Sequence, residues 1–109
     1  MNLKLQQVNT RSIKQIIPAK LVDMGGHLLD QPLPANEIRQ IDPFLLIHHW
    51  NHPLKGGQKQ ADVGVGPHPH RGFSPVTFVF KGTAHHRDSL GNDAIVGPGG
   101  TQWMHAGKG

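Results

Sequence analysis

The chain has 109 residues, which is one small domain or part of one. With 14 glycines, 9 prolines and only 6% aromatic residues it reads as a turn-rich β protein, and no apolar run approaches the roughly 20 residues of a membrane span. The net charge of +4 is spread over scattered lysines and arginines, with no block, no helical stripe and no interleaved aromatics, which argues against direct nucleic-acid binding.

In chain order, residues 12–17 form a first extended piece, stopped by Pro18, and residues 20–23 a second, stopped by Gly25-Gly26. Residues 27–30 form a third, closed by Pro32 and Pro34. Residues 35–40 suit one helical turn, too short to stand alone. Residues 42–47 are a continuous apolar run, which predicts a strand buried on both faces. Residues 51–66 read as a loop of the length that is usually functional or mobile. Residues 76–80 have strong strand propensity, with Val76, Phe78 and Phe80 on one face and Thr77 and Val79 on the other. Gly82 breaks that strand, residues 83–88 form the next, and residues 89–92 are a hairpin turn supplying φ > 0 positions. Residues 94–96 follow, then a turn at 97–100 and a last strand at 101–105. Short strands at regular spacing with glycine turns predict a sandwich or barrel.

Nine histidines carry most of the chemistry. Without cysteine, any metal must be held by nitrogen and oxygen donors, and nothing requires an oxidising compartment. The opening residues lack the apolar core of a secretory signal, so a cytoplasmic location is expected. In Pro67-His68-Pro69-His70 the two imidazoles are one residue apart, and on an extended backbone they share a face. The prolines remove backbone donors and fix φ, holding the pair stiffly. Taken alone, the pair is equally readable as two loop histidines. His86 reads as a strand histidine bonded to a neighbour, with His85 facing the other side. His48, His49 and His52 would share a face only on a helix, and the run before them is a strand, so an interfacial role is preferred to a metal site. Phe73 and Trp103 are expected to be core or pocket wall. The glycines at 97–100 are not a phosphate loop, since no Gly-Lys-Ser/Thr follows.

Several blocks together resemble the pirins, the bicupin members of the cupin superfamily. They are Asp42-Pro-Phe-Leu-Leu46, Pro67-His-Pro-His-Arg-Gly-Phe73, Val76-Thr77, His86-Arg-Asp-Ser-Leu-Gly-Asn92, Gly97-Pro98-Gly99, Gln102-Trp-Met104 and Ala106-Gly107, in family order and spacing. The resemblance implies an all-β fold, a cupin-type β-barrel (a double-stranded β-helix or jelly roll), with residues 1–41 as lead-in strands and 42–109 as core strands of the N-terminal cupin domain. It also implies one divalent metal held by three histidines and a glutamate, with His68 and His70 as the first two ligands. The metal would be iron as Fe(II), with Zn, Cu, Ni, Mn or Co as alternatives. In the family the other two ligands lie in a Gly-aliphatic-aliphatic-His-x-Glu segment just after the Ala-Gly-x-Gly turn, and the sequence stops at that turn, on Gly109. The expectation is therefore a partial N-terminal pirin cupin, incomplete at its C-terminus, in which His86 or His105 is the residue to examine as a substitute ligand. For His105 the alternative is a rim histidine.

Four positions depart from the family pattern. Ser74 replaces a usual Glu, Gly100 a usual Asp, His105 a small polar residue, and His48 an Asp. Such changes bear on the groups that orient metal ligands. The activity implied by the resemblance is a metal-dependent quercetin (flavonol) 2,3-dioxygenase, weak or absent in this chain because half the cage is lacking. The alternative is a non-enzymatic, metal-dependent binding module of the transcription-cofactor type. Expected partners are a flavonol-like small molecule, a protein, or a second copy joined through an open barrel edge, with no direct nucleic acid and no membrane.

Overall fold

The computed structural model describes residues 9–109, so the opening residues, on which the reading of no secretory signal rests, lie outside the described part. The chain forms two compact units, one ending at Gly56 and one running from Gly57 to Gly109. Strands dominate both, and among the described residues no helix is long and apolar enough to cross a membrane.

The first unit is an antiparallel three-stranded sheet of β1 (Lys20–Asp23), β2 (Leu28–Leu33) and β3 (Ile47–His49), with β2 in the middle. β1 and β2 join through a turn in which the Met24 amide donates to the His27 carbonyl at 2.9 Å, and the Gly26 amide to Asp23 Oδ1 at 2.7 Å. Pro32, expected to stop a strand, lies inside β2. It is tolerated because β2 takes three steps between Asp30 and Leu33 where β3 takes two, between His49 and Ile47. The extra residue opens the ladder at that point, and a residue without an amide proton loses nothing there. Among the described residues of this unit, Leu29 and Leu33 of β2 and Ala35 just beyond are the buried side chains, and Leu33 is only 2% exposed.

Two expectations fail here. Residues 12–17 form no strand, and Ile13 and Ile16 are exposed. The 42–47 run is not a strand buried on both faces: Phe44, Leu45 and Leu46 are each more than half exposed, and β3 begins only at Ile47. The cause is a tight reversal, in which the Phe44 amide donates to the Ile41 carbonyl at 2.6 Å across Asp42-Pro43. Pro43 supplies no donor to a ladder, so the apolar run is spent partly on the turn.

The second unit begins with the four-residue helix α1 (Gln60–Val63), inside the segment expected to be loop. It continues as two nested antiparallel pairs. The outer pair is β4 (Val76–Phe78) with β7 (Thr101–Trp103), and the inner is β5 (Ala84–Arg87) with β6 (Asp93–Val96). The outer ladder is extended where the Gly99 amide donates to the Val79 carbonyl at 2.8 Å and the Val79 amide to the Gly100 carbonyl at 3.1 Å. Val79 is the buried apolar residue of this unit. Gly100 sits where pirins usually carry Asp, and a Cβ there would lie 2.6 Å from Val96 Cγ1 and 2.9 Å from the Gly97 carbonyl oxygen. A side chain at that position would require the turn to shift.

The inner hairpin closes through the turn expected at 89–92, with Asp88 at its entry. Asp88 Oδ1 accepts from the amides of Leu90 (3.0 Å) and Asn92 (3.1 Å), and Gly91 takes the φ of +83° that such a turn requires.

Candidate metal centre

His68 and His70 lie in an irregular extended stretch, outside any strand. The sequence still places them side by side: their ring centroids are 4.5 Å apart in an edge-on arrangement. His70 also meets the edge of Phe73 at 5.6 Å. His68 Nδ1 donates to the Gly66 carbonyl oxygen at 2.8 Å. That bond fixes the tautomer with the lone pair on Nε2, the arrangement that metal-ligating imidazoles use. The His70 imidazole is held below its ordinary pKa, first by burial and then by the positive charges of His68 and His86, so the neutral, ligating form is favoured.

The loop carrying the pair is tied to the end of the chain. The Gly72 amide donates to the Gly107 carbonyl at 2.9 Å, and the Met104 amide to the Pro75 carbonyl at 3.0 Å. Gly109 lies close enough to His70 that a Cβ on it would sit 3.9 Å from the His70 carbonyl oxygen. The Ala106–Gly109 turn therefore runs beside the backbone of the segment that carries the pair.

Among the described residues no group of three His, Asp or Glu side chains is gathered as a metal cage. The donor set present fits a divalent metal as a pair of imidazoles and no further. His86 is engaged elsewhere: its Nε2 donates to Asp88 Oδ2 at 3.0 Å. Asp88 also accepts from Asn92 Nδ2 at 2.7 Å, and these two bonds hold its carboxyl down at about 2. His105 Nδ1 accepts from the Ser74 hydroxyl at 3.2 Å, and its ring lies 5.8 Å from that of Trp103. Ser74 and His105 are two of the four departures from the family pattern, and they are bonded to each other.

The other histidines disperse. His85 donates from Nε2 to Asp93, which also takes Arg87 Nε at 3.1 Å, and Gln60 of α1 donates to His85 Nδ1. The bond from His85 is the first cause of a lowered Asp93 pKa. His85, Arg87 and Asp93 share one face of the hairpin, while His86 takes the other. His48 Nε2 donates to Gln31 Oε1 at 2.9 Å, His49 Nδ1 is 3.9 Å from Asp30, and the His52 carbonyl accepts from Trp50 Nε1 at 2.9 Å. Sequence reasoning missed the carboxylates Asp88 and Asp93 as partners. The available signal was alternation: His86 and Asp88 are two apart on one extended segment, and Arg87 and Asp93 are cross-strand neighbours.

The strands define an all-β protein, and the family match that follows makes its fold cupin-type. The pirin family profile matches residues 26–109, and the chain belongs to that family. It is 40% identical over 88 residues to a "Pirin-like protein" of Caulobacter vibrioides, covering 80% of this chain and 30% of the relative. It is 34% identical over 107 residues to "Pirin-like protein At1g50590" of Arabidopsis thaliana, covering 97% and 32%. It is 45% identical over 71 residues to "Putative quercetin 2,3-dioxygenase PA2418" of Pseudomonas aeruginosa, covering 65% and 24%. The chain thus spans about a third of the length of the curated relatives it matches. No solved structure matches it.

Proposed function

We propose that this chain carries two imidazole ligands, His68 and His70, of a pirin-type metal centre for flavonol 2,3-dioxygenation. The observation that carries the reading is the pair itself, with rings 4.5 Å apart and His68 Nδ1 donated to Gly66 so that Nε2 is left for a metal. The relative named for quercetin dioxygenation supports the substrate class. Iron(II) is the metal proposed, and bound there it would supply a Lewis-acid anchor for the vicinal oxygens of a flavonol and a place for O2 to meet it. The residues of this chain orient and wall the site. Phe73 braces the His70 ring, the Gly66 carbonyl holds His68, and the Gly72–Gly107 bond fixes the loop.

Two imidazoles give a labile site, and a catalytic one needs about three protein donors plus an open position. The 109-residue chain is therefore expected to bind metal weakly and to turn over little flavonol. A chain extended after Gly109 by the family's aliphatic-aliphatic-His-x-Glu segment should do both, because Gly109 already lies beside His70. Quercetin loss with added Fe(II), followed side by side for the two chains, is the test. Equal, robust turnover by the shorter chain overturns the reading. His68→Ala and His70→Ala should each weaken Co(II) binding by about tenfold or more, the scale lost when a metal site's support is removed, and unchanged binding would exclude the pair as ligands.

A second reading, a non-enzymatic binding module, is favoured by one observation: Val76, Phe78 and Trp103 form an exposed apolar face on the β4–β7 pair. It predicts metal-sensitive capture of a protein partner without flavonol turnover. Capture that survives both metal removal and His68→Ala counts against it.

A further inference from the structure

The first unit contains an open cleft of about 560 Å³, lined by Lys20, Gln31, Pro34, Ala35, Asn36 and Arg39. No carboxylate lines it. Gln31 is held at both ends, since its Nε2 donates to the Pro34 carbonyl at 3.0 Å and its Oε1 accepts from His48 Nε2. Asn36 Oδ1 accepts from Lys20 Nζ at 2.6 Å, which turns the Asn36 amide NH2 away as a remaining donor. The Lys20 ammonium keeps two further protons, and Arg39 makes no ion pair among the described residues. Among its charged groups the cleft thus presents cations only, Lys20 and Arg39, with the Asn36 amide beside them.

We infer that this cleft is a binding site for a phosphate-bearing small molecule. The cleft volume falls in the range of about 300–1,000 Å³ found for small-molecule sites. A phosphate monoester carries a charge of about −1.5 to −2 at neutral pH, matching Lys20 and Arg39 together, and offers three terminal oxygens to the three donor groups. Arg39 supplies the planar fork and Lys20 the point charge, the two modes by which side chains hold phosphate. A monocarboxylate has one charge and two oxygens, and leaves part of the cleft uncompensated. The site is independent of the His68/His70 pair and stands or falls apart from the metal reading.

The test uses the whole chain, titrated with inorganic phosphate and, separately, with acetate, at constant ionic strength held with sodium chloride, while backbone and side-chain NMR shifts are followed. Saturable shifts at Lys20, Asn36 and Arg39 with phosphate, and weaker binding of acetate, are expected. Lys20→Gln and Arg39→Gln should each weaken the phosphate affinity by about tenfold, the loss associated with one charge-assisted contact. Lys20→Arg, which keeps the charge, should retain binding and shows that loss in Lys20→Gln is not misfolding. No saturable shift, shifts confined to other residues, acetate binding as tight as phosphate, or phosphate binding indifferent to both Gln variants would each overturn the assignment.

Discussion

Up to Gly56 the chain buries Leu29, Leu33 and Ala35 in and beside a three-stranded sheet; from Gly57 onward it buries Val79, while Val76, Phe78, Ile95 and Trp103 stay exposed. The second unit compensates with polar contacts. Asp88 gathers His86, Asn92 and two turn amides, and Asp93 gathers His85 and Arg87. These contacts and the buried leucines differ in kind. Exposed ion pairs are worth about 0–1 kcal/mol each, whereas fully burying a leucine is worth about 1.5–3 kcal/mol. The polar network of the second unit therefore sets the register and turn of its inner hairpin more than it stabilises the fold, and the first unit is held by packing. The histidine pair and most of the family's sequence blocks thus fall in the half with the thinner core.

The largest test of this contrast is Leu33→Ala. Leu33 is 2% exposed on the central strand, and truncating a buried leucine costs about 2–5 kcal/mol. Amide exchange should show protection lost across β1, β2 and β3 while the β5–β6 amides keep theirs. Loss of protection in both units to the same extent would break the comparison, because the chain would then behave as one cooperative body.

Next in size is the acid response of the inner hairpin. The Asp88 carboxyl is lowered from 3.8 to about 2 in the folded chain, first by the bond from His86. A depressed carboxylate contributes stability that is present above the unfolded value and is lost as pH falls through the folded one. Protection of the β5–β6 amides should accordingly decline between about pH 4 and pH 2. Asp88→Asn should flatten most of that decline, with Asp93, lowered chiefly by His85, accounting for the rest. A pH profile identical in wild type and Asp88→Asn would show that packing, not the turn network, holds the hairpin.

The strands of the second unit were legible in the sequence because glycine turns punctuate a period of two at 76–78, 84–87, 93–96 and 101–103. The histidine pair was legible for a related reason, since the His-x-His spacing survives even without a strand. The late start of β3 and the passage of β2 through Pro32 were not legible, because one depends on the Ile41–Phe44 reversal and the other on register with a strand 14 residues beyond Leu33, at Ile47. The Ser74–His105 bond joins residues 31 apart, and only the β4–β7 pairing brings them together. The long loop at 51–66 is irregular apart from the short α1, whose Gln60 bonds His85, 25 residues on. Local pattern reports local periodicity, whereas these features are consequences of tertiary pairing.

The smallest expected effect on stability carries the sharpest contrast between the units. On the β4–β7 pair, Val76 lies opposite Trp103, and Phe78 follows two residues along, so the three share a face; Thr77 and Gln102 form the other. The apolar face is open, with Phe78 65% and Trp103 64% exposed. Contiguous apolar surface of this kind drives association, and a two-stranded pair also offers unpaired backbone edges. The chain is expected to self-associate at tens of micromolar, and the double variant Phe78→Ser/Trp103→Ser should shift it towards monomer. Because both side chains are largely in solvent, that variant should change unfolding stability by no more than about 0.5 kcal/mol. Sedimentation velocity across a concentration series reads the association, and urea unfolding at low concentration reads the stability. A wild-type chain that stays monomeric throughout, or a double variant that associates as strongly as wild type, would show that the exposed face is not what joins the copies. A variant that loses several kcal/mol would show instead that Phe78 and Trp103 are core residues of the second unit, and the contrast with the leucine-packed first unit would disappear.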